Sequence, residues 1–172
     1  RVEQWVAIVL AAVLFGGWMG AEWIGKKTDR HLRGSLLGRC ETAAAAIDRS
    51  DLESLSCTVA DLETGNYQAL NDQLQRMRSA NPDCRFIYLM ARTDSAVVFM
   101  ADSEPVDSPD FSPPGLVYDE ASDALLGAFR DGKPMTEGPL PDPWGVWVSA
   151  LVPILDPQSE EVVAILGLDA AA

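Results

Sequence analysis

Apolar and polar positions change their rhythm along this chain, and each rhythm predicts a different element. Residues 5–24, WVAIVLAAVLFGGWMGAEWI, form one long apolar run in which Glu22 is the lone charge. About 20 helical residues span the ~30 Å of a bilayer core, so the run predicts a transmembrane helix, with residues 1–27 as the helix and its flanks. Trp5, Trp18 and Trp23 sit towards its ends, where indole N–H groups meet headgroups. Over residues 28–48 apolar side chains recur every three or four positions: Leu32, Leu36, Cys40, Ala43 and Ile47. That is one stripe of a long helix continuing from the membrane segment. Tyr67, Leu70, Leu74 and Met77 make a second helical face over residues 66–80, stopped by Asn81-Pro82.

The period then falls towards two. Residues 85–92 (RFIYLMAR) and 96–102 (AVVFMAD) read as strands joined at Thr93-Asp94-Ser95. Alternation places Phe86, Tyr88, Met90 and Arg92 on one face. Residues 103–115 contain Pro105, Pro109, Pro113 and Pro114 and predict a loop. Helical spacing returns over residues 118–130 at Tyr118, Ala121, Ser122, Leu125, Leu126 and Phe129, with Gly132 as the stop. A short edge strand follows at 134–137, then a proline loop at 138–143. Two long apolar strands, 145–155 and 161–169, flank a turn at Asp156-Pro157-Gln158-Ser159. Tight connections between consecutive strands imply an antiparallel sheet. The class is therefore α+β: a five-stranded sheet flanked by helices that cover one face or side, in a single domain over residues 28–172.

Composition and charge narrow the function. Apolar residues make up 48% of the chain, enough for a packed core, and the formal charge is −13. So acidic a body repels nucleic acid. Cys40, Cys57 and Cys84 have neither zinc nor haem spacing; they form either a Cys40–Cys57 disulfide or three buried, inert thiols. His31 is the lone histidine and lies in a basic stretch, so Ser149 has no catalytic partner, and no phosphate loop is present. Asp102, Glu104, Asp107 and Asp110 offer oxygen donors in one loop but lack the EF-hand order, so no metal or cofactor is expected. Lys26, Lys27, Arg30, Arg33 and Arg39 follow the apolar run, which by charge alone would place the C-terminal side in the cytoplasm.

The order RFIYLMAR, VVFMADSEP, FSPPGLVYDEAS, EGPLPDPWGVWVSALVPILDP and VVAILGLD, about half the chain, resembles the PDC or Cache sensor domains of bacterial receptors. These are PAS-like and extracytoplasmic, and stand between a membrane helix and the output part of histidine kinases or diguanylate cyclases. The resemblance implies a soluble domain outside the inner (cell) membrane that is not itself an enzyme. Its ligand would be a small metabolite, such as an amino acid or organic acid, and the cytoplasmic output domain would lie outside this chain. It places candidate ligand contacts at Tyr88 and Arg92 on the first strand and Asp102 ending the second. Tyr118 would open the roof helix, Trp147 and Ser149 lie on the fourth strand, and Asp169 ends the fifth. Arg92 would fork onto a carboxylate, Asp102 or Asp169 would take an ammonium, and Tyr118 and Trp147 would wall the cavity. The alternative is a dimerisation or partner-binding module without a small ligand, with residues 28–48 as a homodimer seam.

Overall fold

The computed structural model describes the backbone of residues 2–172; side chains are described for Trp5, Phe15, residues 17–19 and every residue from 22 onwards. The chain divides into two compact units, Arg1–Ser35 and Leu36–Ala172. α1 (Val2–Ala44) belongs to both. In the first unit α1 carries i,i+4 ion pairs, Lys26 with Glu22 at 2.8 Å and Arg33 with Asp29 at 3.0 Å, and Trp5, Trp18 and Trp23 are exposed. Most side chains of the apolar run 5–24 fall outside the described residues; among the described residues no helix is long and apolar enough to cross a membrane.

The second unit is built on an antiparallel sheet of β1 (Cys84–Arg92), β2 (Val97–Asp102), β3 (Met135–Asp142), β4 (Gly145–Leu155) and β5 (Val162–Ala171). The strand order is β2-β1-β5-β4-β3, and the interior strands β1 and β5 are buried on both faces along most of their length. Helices cover both faces rather than one, because each face of these strands carries its own apolar set. On the back, Leu36, Cys40, Ala43 and Ile47 of the predicted stripe pack with Leu70 and Leu74 of α3 (Gly65–Ser79) onto Ile87, Leu89, Val152 and Leu166. The Cys40 thiol donates to the Ala150 and Leu166 carbonyls at 3.5 and 3.4 Å. Leu32, the first member of the stripe, is 62% exposed. On the front, Leu125, Ala128 and Phe129 of α4 (Asp123–Asp131) pack onto Phe86, Met90, Leu151 and Ile165.

Local signals explain most boundaries. α3 starts where the Thr64 hydroxyl accepts from the Tyr67 N–H, and its last turn holds Arg76 and Arg78. α1 ends at Ala44, and Asp48 caps a separate short helix, α2 (Arg49–Glu53), which shortens the expected 28–48 helix. The expected helix over 118–130 begins only at Asp123, where the Ser122 hydroxyl accepts from the Leu125 N–H at 2.9 Å. Gly132 closes it at φ 63°, a left-handed conformation that glycine tolerates. Tyr118 therefore does not open the helix. Residues 115–118 run instead along β2, with the Tyr118 N–H on the Val97 carbonyl and the Phe99 N–H on the Leu116 carbonyl, both 2.9 Å. The expected loop at 138–143 is mostly strand: β3 runs on to Asp142 on the sheet edge, past an irregularity around a cis Gly138–Pro139 bond. Proline is tolerated there because an edge strand needs few ladder donors. The three cysteines are free, Cys40 and Cys84 buried and Cys57 half-buried, so Cys40 and Cys57 are not bridged.

Candidate functional site

Antiparallel register gathers chemistry at the front of the sheet. Phe86 faces Asp169 across β1 and β5, and Ser149 faces Asp169 across β4 and β5. Tyr88 lies opposite Gly167 on one side and Asp102 on the other. A β-carbon on Gly167 would sit 2.3 Å from the Tyr88 ring, so the missing side chain lets that ring lie across β5. From there the Tyr88 hydroxyl donates to Asp169 Oδ1 at 3.0 Å. Ser149 donates to the same carboxylate from the other side.

Loops roof this face. Asp102, at the end of β2, accepts from the Ser112 N–H at 2.9 Å and the Glu104 N–H at 3.1 Å, which folds the 103–115 loop back over the sheet. Glu104 is buried and pairs with both Arg78 of α3 and Arg85 of β1, while Ser108 donates to its other oxygen at 2.8 Å. Arg85 also reaches Asp110 at 2.7 Å and lies over the Phe86 ring. On the opposite rim, Asp142 Oδ1 accepts from the Trp144 and Gly145 N–H groups and from the Trp147 indole, at 2.8 to 3.0 Å. Phe99 is the hub of the rings: Tyr88, Tyr118 and Trp144 meet it edge-on, with centroids 5.6 to 5.9 Å away.

Between sheet and roof lies a small cleft of about 20 Å³, lined by Tyr88, Phe99, Tyr118 and Trp144 with Asp102, Asp110, Asp142 and Asp169. It is tight, with room for about one water. Burial pushes the Asp169 carboxyl up to about 7, helped by the negative charge of Asp142 and Glu137 and opposed by the bonds from Ser149 and Tyr88. Burial likewise raises Asp102 to about 6, against the backbone N–H groups that it accepts. The Tyr88 and Tyr118 hydroxyls are raised first by burial and then by Asp169 and Asp142, respectively. Burial also works against ionised Glu104, yet Ser108, Arg85 and Arg78 outweigh it and hold the carboxyl below its ordinary range. The acidic loop is thus tied down rather than solvated, and among the described residues no carboxylate, histidine or cysteine group has the arrangement of a metal site.

Of the sequence-based candidates, Tyr88, Asp102, Tyr118 and Asp169 line the cleft. Ser149 stands behind Asp169, and Trp147 supports the wall, its ring edge-on to Phe86 at 5.1 Å. Arg92 lies elsewhere. It pairs with Val97 at the far end of the first hairpin, not with Asp102, and lines an open groove with Phe129, Asp156 and Glu161. Sequence reading missed Phe99, Asp110, Asp142 and Trp144. The Asp-Pro-Trp-Gly run at 142–145 carried the signal for two of them, since an aspartate before a turn commonly accepts from the backbone just beyond it.

A front cleft bounded by a five-stranded antiparallel sheet in the order 2-1-5-4-3 and by a long loop is a PAS-like arrangement. Solved structures agree. Three structures of the Campylobacter jejuni chemoreceptor Tlp3 share this fold. The ligand-binding domain in complex with L-valine matches at a TM-score of 0.55 and 12% identity, covering 86% of this chain and 56% of that one. The sensory domain of the same receptor matches at 0.55 and 11%, with the same coverage. The ligand-binding domain in complex with 4-methylisoleucine matches at 0.56 and 11%, covering 86% and 54%. This chain thus spans about half the length of those domains. No protein-family model matches the sequence, and no curated protein does.

Proposed function

We propose that this chain is the ligand-sensing part of a bacterial transmembrane receptor, binding a small metabolite in the front cleft. The observation that carries the reading is the cleft itself: two buried carboxylates, Asp102 and Asp169, raised by desolvation and ringed by aromatic side chains under a pinned loop. A purely structural sheet face has no need of buried, desolvated acids, whereas a binding site does. The fold of the Tlp3 domains, crystallised with L-valine and 4-methylisoleucine, supports the same reading. The soluble body lies outside the cell membrane, and residues 5–24 anchor it there. Ligand binding favours one packing of roof on sheet, and α1, which is common to both compact units, passes that bias towards an output domain of the histidine kinase or diguanylate cyclase kind.

The alternative, a dimerisation module without a ligand, is weakened because the α1 stripe from Leu36 onwards is covered by its own sheet. A homodimer through residues 28–48 would accompany sensing and draw on exposed Leu32. Thermal melts of the whole chain in detergent, against a panel of amines, amino acids and organic acids, test the reading. At least one class raises the melting temperature in a saturable way; a panel without any stabilising compound would overturn it.

A further inference from the structure

We infer that the front cleft takes a small organic cation, an amine or quaternary ammonium that carries no carboxylate of its own. The inference rests on the sensor reading and narrows its ligand class. The lining holds four aspartates and no lysine, arginine or histidine. Among the described residues the cation that touches the lining is Arg85, and it is already shared between Glu104 and Asp110 while its guanidinium covers the Phe86 ring. Arg92, the candidate for a carboxylate clamp, opens onto a separate groove. A zwitterion such as L-valine would therefore bring its carboxylate among like charges in a poorly hydrated space, with no donor fork to receive it.

A cation meets the reverse situation. Tyr88, Tyr118 and Trp144 pack edge-on against Phe99 at 72 to 77° and line the cleft with it, and aromatic faces attract positive charge. Asp142 receives its three hydrogen bonds on Oδ1, which among the described residues leaves Oδ2 for a ligand N–H or N-methyl group. Asp169 is held in place by Tyr88 and Ser149 at the floor.

Isothermal titration of the whole chain in detergent, at matched ionic strength, tests this with tetramethylammonium, ethanolamine and putrescine against L-valine and succinate. At least one of the three cations binds saturably, and about tenfold or more tighter than L-valine. Asp142→Asn and Asp169→Asn each weaken that cation by about 30-fold or more, as loss of a desolvated charge partner does. Arg92→Ala leaves it unchanged. Circular dichroism shows whether each variant folds; Asp110→Asn, on the exposed rim, serves as the charge variant should a buried one fail. L-valine or succinate binding as tightly as the cations would overturn the cation inference and leave the sensor reading standing. Silence from every probe, with no stabilising compound in the metabolite panel, would overturn both.

Discussion

Gly167 shows how much of the cleft hangs on one absent side chain. Its hydrogen is what lets Tyr88 lie flat across β5 and reach Asp169. Gly167→Ala should cost about 1–3 kcal/mol in urea denaturation, as other overpacking changes do, and should also abolish ligand-dependent stabilisation because the ring must leave. An alanine variant with unchanged stability would mean that the ring does not occupy this position. Asp102 and Asp169 make a second prediction at this scale. Their folded values, about 6 and about 7, lie above the ordinary ~3.9 of an unfolded aspartate, so the folded state binds more protons between those limits. Stability from these two groups is present at low pH and is lost as pH rises through 6 and 7. The lowered carboxyls, Glu104 and Asp61 among them, act the other way, but only as pH falls towards their own range near 4, below the window in question. The ligand-free chain should melt higher at pH 5.5 than at pH 8, with a slope approaching about 1.4 kcal/mol per pH unit for each proton taken up. The titratable groups that act on or feel Asp169 are Tyr88, Tyr118, Asp142, Glu137 and the Cys40 and Cys84 thiols, and Asp169→Asn should flatten the dependence while leaving them in place. An unchanged slope in that variant would assign the effect to overall charge.

Periodicity made the elements legible and left their ends to side-chain detail. All five strands and the α3 helix were readable because their apolar spacing matches one of two periods and their loops carry proline, asparagine or aspartate. The α4 start was not, since Tyr118 and Ala121 fit a helical spacing by coincidence while the Tyr118 backbone pairs with β2. β3 was read short because proline on an edge strand resembles a loop in sequence. The stripe on α1 was real, yet only the position of the sheet decided which members it covers. Leu36→Ala should therefore destabilise the chain by about 2–5 kcal/mol, whereas Leu32→Ala should stay within about 0.5 kcal/mol. Equal losses at both positions would show that Leu32 is buried in solution, against a second copy or a membrane. The roof makes its own prediction: Glu104→Gln removes the charge that ties α3, β1 and the 103–115 loop together, and should cost about 1.5–3 kcal/mol in chemical denaturation. No loss there would mean that the loop is held by Asp102 alone.

For the whole molecule, the fold class was legible in the sequence and the cleft only in part. Four of seven candidate residues converge on the cleft: strand alternation fixes the face of Tyr88, Asp102 and Asp169, whereas Tyr118 reaches it from a segment that runs along β2. Arg92 shares that alternation but stands at the opposite end of the strand, a distance that period alone does not encode. The rim residues Asp110 and Trp144 come from loops and Asp142 from the end of β3, and their placing depends on tertiary hydrogen bonds, so their convergence is visible only in three dimensions. The likeness to the Tlp3 domains concerns the fold alone, and the acidic, aromatic lining follows from this chain's own residues.

The central claim is that the front cleft, and no other surface, holds the solute. Its most direct test is a two-dimensional amide and indole NMR titration of the whole chain in detergent with whichever compound stabilises it most. The account predicts that the largest shifts fall on the Trp144 and Trp147 indoles and on the amides of Tyr88, Ser112, Gly145 and Asp169. Shifts centred on Arg92, Gly132 and Glu161, or spread evenly over the surface, would contradict it.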